Sequence, residues 1–163
     1  MKTDLQTVDT VRRPSAASQA PSMVSNTPTR PTSLTPITAQ PTAVVYCECN
    51  FAKIDGKTAN GLVRHSEAYR IVSVIDSTHS GKNSGQVLDD VINTIPICKN
   101  LDAAIATEAA MPDTFIYGMA PSTGRLSPAD RGIVLDAIAR GMNIVSGLHE
   151  YLSDDTEFAQ AAL

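Results

Sequence analysis

A chain of 163 residues carrying a net charge of −4 has the length of one domain. The acidic balance, the absence of tryptophan and the 4% aromatic content argue against a basic groove or base-stacking platforms for nucleic acid. No stretch reaches the roughly 18 apolar residues of a membrane span, and no apolar h-region marks a secretory signal. Three cysteines, an odd number, make no disulfide framework and suit a reducing compartment, so the cytoplasm is the expected location.

Residues 1–42 differ from the rest. They hold six of the ten prolines and fourteen Ser or Thr, with no glycine and no aromatic residue. Such a segment has too little apolar surface to offset the entropy of ordering, so a disordered Pro/Ser/Thr-rich leader is expected there. Its four basic residues against Asp4 and Asp9 leave the remainder, residues 43–163, at about −6. Arg12-Arg13-Pro14-Ser15 has the form of a basic-directed phosphorylation site, a pattern that also arises by chance in such tails.

From Ala43 to Cys49 the sequence is near-continuously apolar and β-prone, as in a strand covered on both faces. Cys47 and Cys49, two apart, would share one face of it as small core residues. A helix is expected to open on Gly56-Lys57-Thr58 and run to Ser66, with Ala59, Leu62, Val63 and Ser66 on one stripe. Gly61 falls inside it, which suits close packing against the sheet or a ligand. Tyr69 to Asp76 reads as a second strand, followed by the polar loop Ser77 to Ser84 and a short helix burying Val87, Leu88, Val91 and Ile92. Ile95 to Cys98 is a brief third strand, with Pro96 marking an edge or a strand start. Asn100 caps a helix that turns Leu101, Ala104 and Ile105 inward.

Thr114 to Met119 gives a fourth strand, and Ser127-Pro128-Ala129-Asp130 then forms a helix start: a capping serine, proline at the first helical position, and an acid in the first turn. Asn143 to Ser146 is the fifth strand. Ser153 or Asp155 caps a last helix containing Phe158. Alternating strands and helices imply an α/β, Rossmann-like, doubly wound and mainly parallel five-stranded sheet in the order 3-2-1-4-5.

In such sheets ligands bind beyond the carboxyl ends of the strands. That rule gathers Glu48–Thr58, Asp76–Lys82, Gly118–Arg125 and Ser146–Glu150 along one rim. Neither GxxxxGK[ST] nor GxGxxG is present: Phe51 stands at the first glycine position of the former, and Gly56 to Gly61 reads GKTANG. What remains is a helix N-terminus with Gly56, Lys57 and Thr58, suited to a small-molecule anion or to a plain cap. Asp76, twenty residues after Gly56, is a ribose-binding acid or a strand-end cap. His79 and Lys82 lie in the following loop; Gly118, Pro121, Gly147 and Glu150 complete the candidate ligand contacts. His149 is the general-base candidate. HExxH is absent because Ser153 stands at the second histidine position, and no metal set is assigned.

DGKTANGLVRHS, VIDSTHSGK, LDAAI, IYGMAPSTGRL and GMNIVSGLHEYLSDD together resemble, across residues 43–163, the N-terminal Rossmann-like domain of the D-glutamate N-acetyltransferase-like family. The resemblance implies a ligand-binding half of an acyltransferase whose other half is a P-loop domain, carried either on a longer chain of which this is a fragment or on a separately encoded partner chain. The strand-loop order is also similar to the CoA-binding domain of succinyl-CoA synthetase-type proteins, which makes CoA or a nucleotide the implied ligand. The opposing expectation is a non-catalytic binding or adaptor module. Helix or sheet faces left uncovered without a second domain imply homo-oligomerisation.

Overall fold

The computed structural model describes residues 9–11 and 40–163. Five strands run parallel: β2 (Thr42–Tyr46), β3 (Arg70–Ile75), β4 (Ile97–Cys98), β5 (Thr114–Tyr117) and β6 (Asn143–Ser146). Their order in the sheet is β4-β3-β2-β5-β6, the expected 3-2-1-4-5. A sixth strand, β1 (Asp9–Val11), pairs antiparallel with the outer edge of β6. Most of the expected disordered leader lies outside the described residues; the described parts of it, β1 and the Thr42 start of β2, are strand, which the composition of residues 1–42 does not signal.

The helices are α1 (Lys57–His65), α2 (Ser84–Leu88), α3 (Leu101–Ile105), α4 (Pro128–Ala139) and α5 (Thr156–Ala161). On the β2 strand Val45 faces α1, whereas Tyr46 faces α4, as period-two alternation requires. Both faces of the sheet are therefore covered, and the strand interiors are mainly apolar: Ala43, Val44, Val45, Val74 and Phe115 are wholly buried, and the buried Ser73 hydroxyl donates to the Ala104 carbonyl. A buried Phe158 on α5 lies under the guanidinium of Arg131, 4.3 Å from the ring centroid, tying α5 to α4.

Three local expectations change, and one open alternative is decided. Strand β2 ends at Tyr46, and Cys49 sits in the left-handed region (φ 56) of the following loop, so Cys47 is buried while Cys49 is exposed. Helix α2 ends at Leu88; Asp90 (φ 55) turns the chain, and Val91 and Ile92 are 65% and 75% exposed rather than buried. Gly61 is exposed, and a Cβ there would meet nothing within 4 Å, so close packing does not explain it. Asp155, not Ser153, caps α5 by accepting from the amide of Glu157. The cap of α4 is as expected: Ser127 Oγ accepts from the Asp130 amide with Pro128 in the first turn. No described helix is long and apolar enough to cross a membrane.

Candidate functional site

Parallel register brings the strand ends to one border. Tyr46 pairs with Ile75 on one side and Tyr117 on the other, and Tyr117 pairs with Ser146. The loops that follow are joined to one another in sequence around this border. From the β2 loop, the amides of Cys49 and Phe51 donate to Asp76 Oδ1 and Oδ2 (3.2 and 3.3 Å), just past β3. On its other side the amide of Ala59 donates to the Gly118 carbonyl (3.0 Å), and the amide of Ala120 to that of Asp55 (3.0 Å). The β5 loop in turn meets the β6 loop: the His149 amide donates to Gly124 O (3.0 Å), and the Leu126 amide to Glu150 Oε1 (2.5 Å). Four separate stretches of sequence thus form one continuous rim.

Two glycines let the loops approach so closely. A Cβ on Gly118 would lie 2.6 Å from Val45 Cγ1 and 2.9 Å from Ala59 Cβ; one on Gly56 would lie 2.3 Å from the Asn50 carbonyl oxygen. The α1 terminus is closed tightly as a result. The amides of Gly56 and Lys57 donate to Lys53 O and Ile54 O, and that of Ala59 to Gly118 O. These three donors are already satisfied by carbonyls, so a phosphate cradle of free amides is not what the start of α1 offers. The side chains of Lys57 and Thr58 remain exposed.

Three acids of the rim, Glu48, Asp76 and Glu150, are engaged by the protein. Asp76 is wholly buried and accepts from Cys49, Phe51 and Thr78 amides, the Thr78 hydroxyl and His79 Nδ1. Burial alone would raise its pKa, but the Thr78 hydroxyl, His79 and the Thr78 amide outweigh that and hold it below the ordinary carboxylate value. It is a strand-end cap, and its oxygens face loop donors rather than an open ribose site. Glu48 accepts from the Ser77 amide (2.9 Å) and hydroxyl. Glu150 pins the β5 loop.

The cations behave differently. All four lysines among the described residues, Lys53, Lys57, Lys82 and Lys99, and also Arg125, lie on segments that follow strand carboxyl ends. All five are exposed, and none joins an ion pair among the described residues. Arg64, Arg70, Arg131 and Arg140 are each paired with a carboxylate.

The remaining sequence candidates are placed plainly. Pro121 accepts from the Gly124 amide, Gly147 is exposed, and the His149 ring lies against Gly124 (φ 65) with no carboxylate behind it. The structure shows no direct contact linking Lys57, Asp76 and His149; the loops between them carry the connection. Among the described residues no group of His, Cys, Asp and Glu gathers as a metal site. The Cys47 thiol is pushed up to about 12 by burial and then by the charges of Asp76, Asp55 and Glu48, so it is a neutral core group.

Sequence reasoning missed one cluster. Tyr46 and Tyr117, last residues of the two central strands, donate their hydroxyls to Asp130 Oδ1 (2.8 Å) and Oδ2 (3.1 Å), and Ser127 Oγ adds a third bond at 2.7 Å. Burial and then Asp130 raise both phenols above their ordinary value, keeping them protonated donors. The available signal was a tyrosine closing each of two apolar strands, with an acid in the first turn of the helix above. A groove of about 460 Å³ lies at the opposite border, between the end of α1 and the start of β3, lined by Gln40, Leu62, His65, Tyr69 and Arg70 among others.

Comparison with known proteins adds three findings. A family model described as the Rossmann-like domain DUF1611_N, a domain of unknown function, matches residues 77–163, more than half of the chain. The crystal structure of a DUF1611 family protein from Anabaena variabilis ATCC 29413 superposes with a TM-score of 0.67 at 25% identity, covering 76% of this chain and 34% of that one. The chain thus spans about a third of that protein's length. No curated protein matches.

Proposed function

The chain belongs to the DUF1611_N family of Rossmann-like domains, and from that premise we propose that it is the ligand-binding half of a D-glutamate N-acetyltransferase-like enzyme. Its ligand is a small-molecule anion, a nucleotide, CoA or an amino-acid carboxylate, received at the carboxyl border of the sheet. One observation carries this reading. Each of the strands β2 to β5 is followed by an exposed, unpaired lysine or arginine, while Glu48, Asp76 and Glu150 are occupied by backbone donors. A border whose Glu48, Asp76 and Glu150 are held by loop amides while its lysines and Arg125 project unpaired into solvent offers cationic side chains for an anion to meet.

Acyl transfer in this reading needs a P-loop domain, reached in the same assembly, and the cytoplasm suits three free thiols. Calorimetric titration of the purified chain with CoA, acetyl-CoA, ATP, NAD and D-glutamate tests the proposal. Binding tighter than millimolar by at least one of them is expected; no binding by any would end the reading.

The exposed apolar side chains Ile54, Val91, Ile92 and Tyr151 favour a second reading, a non-catalytic binding or adaptor module, or a homo-oligomer built on those faces. Affinity capture with mass spectrometry separates the two: a P-loop chain supports the enzyme, and an unrelated protein supports the adaptor. Light scattering that finds a monomer removes the oligomer.

A further inference from the structure

Asp76 ends β3 wholly buried, and His79, three residues on, places Nδ1 2.8 Å from Asp76 Oδ2. An ionised carboxylate only accepts hydrogen bonds, so a neutral imidazole facing it must hold its proton on Nδ1. Nε2 is then left with a free lone pair. The side chain of His79 is 26% exposed and that of Asp76 is 0% exposed, so the open part of the ring is the part turned away from the carboxylate.

Asp76 is itself fixed. The Cys49, Phe51 and Thr78 amides and the Thr78 hydroxyl hold both its oxygens, so the group that orients the imidazole cannot rotate away without opening two loops. A base oriented by a buried acid that is held by a further layer of donors is the arrangement used to prepare a histidine for proton transfer. Neither of the other histidines has it: the rings of His65 and His149 have no carboxylate partner among the described residues.

We propose that His79 Nε2 is the proton acceptor of the carboxyl border, with Asp76 as the positioning residue that fixes its tautomer. The site is separate from His149, which the sequence alone favours. For its reaction the proposal rests on the acyl-transfer reading above; for its geometry it does not. In that reaction the amine nitrogen of the acceptor attacks the carbonyl carbon of a thioester, and an N–C bond forms as the C–S bond breaks. The proton shed by nitrogen passes to His79 Nε2, and the departing thiolate takes it up, leaving an amide and a free thiol.

Long-range ¹H–¹⁵N correlation spectra of the ¹⁵N-labelled full chain, with its three imidazoles assigned through His65→Gln, His79→Gln and His149→Gln, read the proton position directly. The expected result is His79 protonated on Nδ1 at a pH where the ring is neutral; a proton on Nε2 overturns the proposal. This measurement uses the wild-type protein, so it stands even where Asp76→Asn fails to fold. In an assay of the chain together with the P-loop chain recovered by affinity capture, with acetyl-CoA and D-glutamate as substrates, His79→Gln is expected to lower kcat about a hundredfold with KM for the thioester unchanged, while His65→Gln behaves as wild type. Unchanged kcat in His79→Gln overturns the acceptor role. Absence of turnover in that wild-type assembly counts against the acyl-transfer reading alone, and the tautomer then decides the His79 assignment by itself.

Discussion

At the amino border of the sheet, Arg64 meets Asp89 at 2.5 Å, Arg70 meets Glu108 at 2.9 Å, and Asp113 accepts from the Thr42 amide and hydroxyl. At the carboxyl border Arg131, in the first turn of α4, pairs with Asp155 and Glu157, but Lys53, Lys57, Lys82, Lys99 and Arg125 join no ion pair among the described residues, and Glu48, Asp76 and Glu150 accept from loop amides. The difference is one of wiring rather than of charge content. Paired exposed charges close a surface electrostatically, since each cation's field is cancelled within a few ångströms and the remainder is screened by salt. Unpaired cations beside acids already occupied by loop donors stay free to pair with an incoming anion, even on a protein whose total charge is −4. The border that holds the loops together is therefore also the border we propose for the anion.

The largest expected effect comes from the residue that builds the carboxyl border. Asp76→Ala removes the acceptor for three amides, a hydroxyl and an imidazole, and should cost about 3–4 kcal/mol in urea unfolding. The sign of its pH dependence follows from its depressed pKa. Its contribution is fully present above the ordinary carboxylate value of 3.8 and is lost as pH falls through the lower folded-state value. Wild-type protein should lose stability below about pH 4, and Asp76→Ala should show a shallower acid limb.

Next in size is Gly118→Val, whose side chain would enter the space of Val45 and Ala59 and part the β5 loop from α1. The cost should be about 2–3 kcal/mol by the same measurement. An undiminished midpoint would mean that the two loops are not in the contact described.

The charge contrast is tested by Lys57→Glu combined with Arg125→Glu. Ligand affinity should fall on the order of tenfold or more, and the loss should shrink as salt is raised. Arg70→Ala at the other border should leave both affinity and melting midpoint unchanged, because an exposed ion pair contributes little. Equal losses from the two changes would erase the distinction between the borders.

The smallest effect runs the other way. Gly61→Ala on the open face of α1 should stabilise by about 0.5–1 kcal/mol, since nothing lies where the Cβ would go and helix propensity alone decides.

The parallel sheet and its order were legible in the sequence because β2, β3 and β5 are near-continuous apolar runs separated by helix-length segments with recognisable starts, above all Ser127-Pro128-Ala129-Asp130. The meeting of four loops followed from topology and needed no side-chain detail. What was not legible depended on where side chains point past the last strand residue. Asp76 reads equally as a ligand contact or a cap from sequence, and only the amides of Cys49 and Phe51, folded back over it by a left-handed residue, show that it is a cap. Gly56-Lys57-Thr58 suggests free helix amides; the carbonyl of Gly118, contributed from a strand sixty residues away, occupies one of them. Val91 and Ile92 continue the helical spacing of Val87 and Leu88, but the left-handed turn at Asp90 ends the helix before them. The pairing of Tyr46 and Tyr117 on Asp130 joins three elements and has no local signature.

We propose that the carboxyl border, and not the groove at the amino border, receives the ligand. Amide chemical-shift mapping of the ¹⁵N-labelled chain during titration with CoA tests it most directly, and with ATP or D-glutamate should CoA leave the spectrum unmoved. Perturbations concentrated in residues 48–58, 76–82, 118–125 and 147–150 are the predicted result. Perturbations centred on residues 62–71, or none with any of the three, would contradict it.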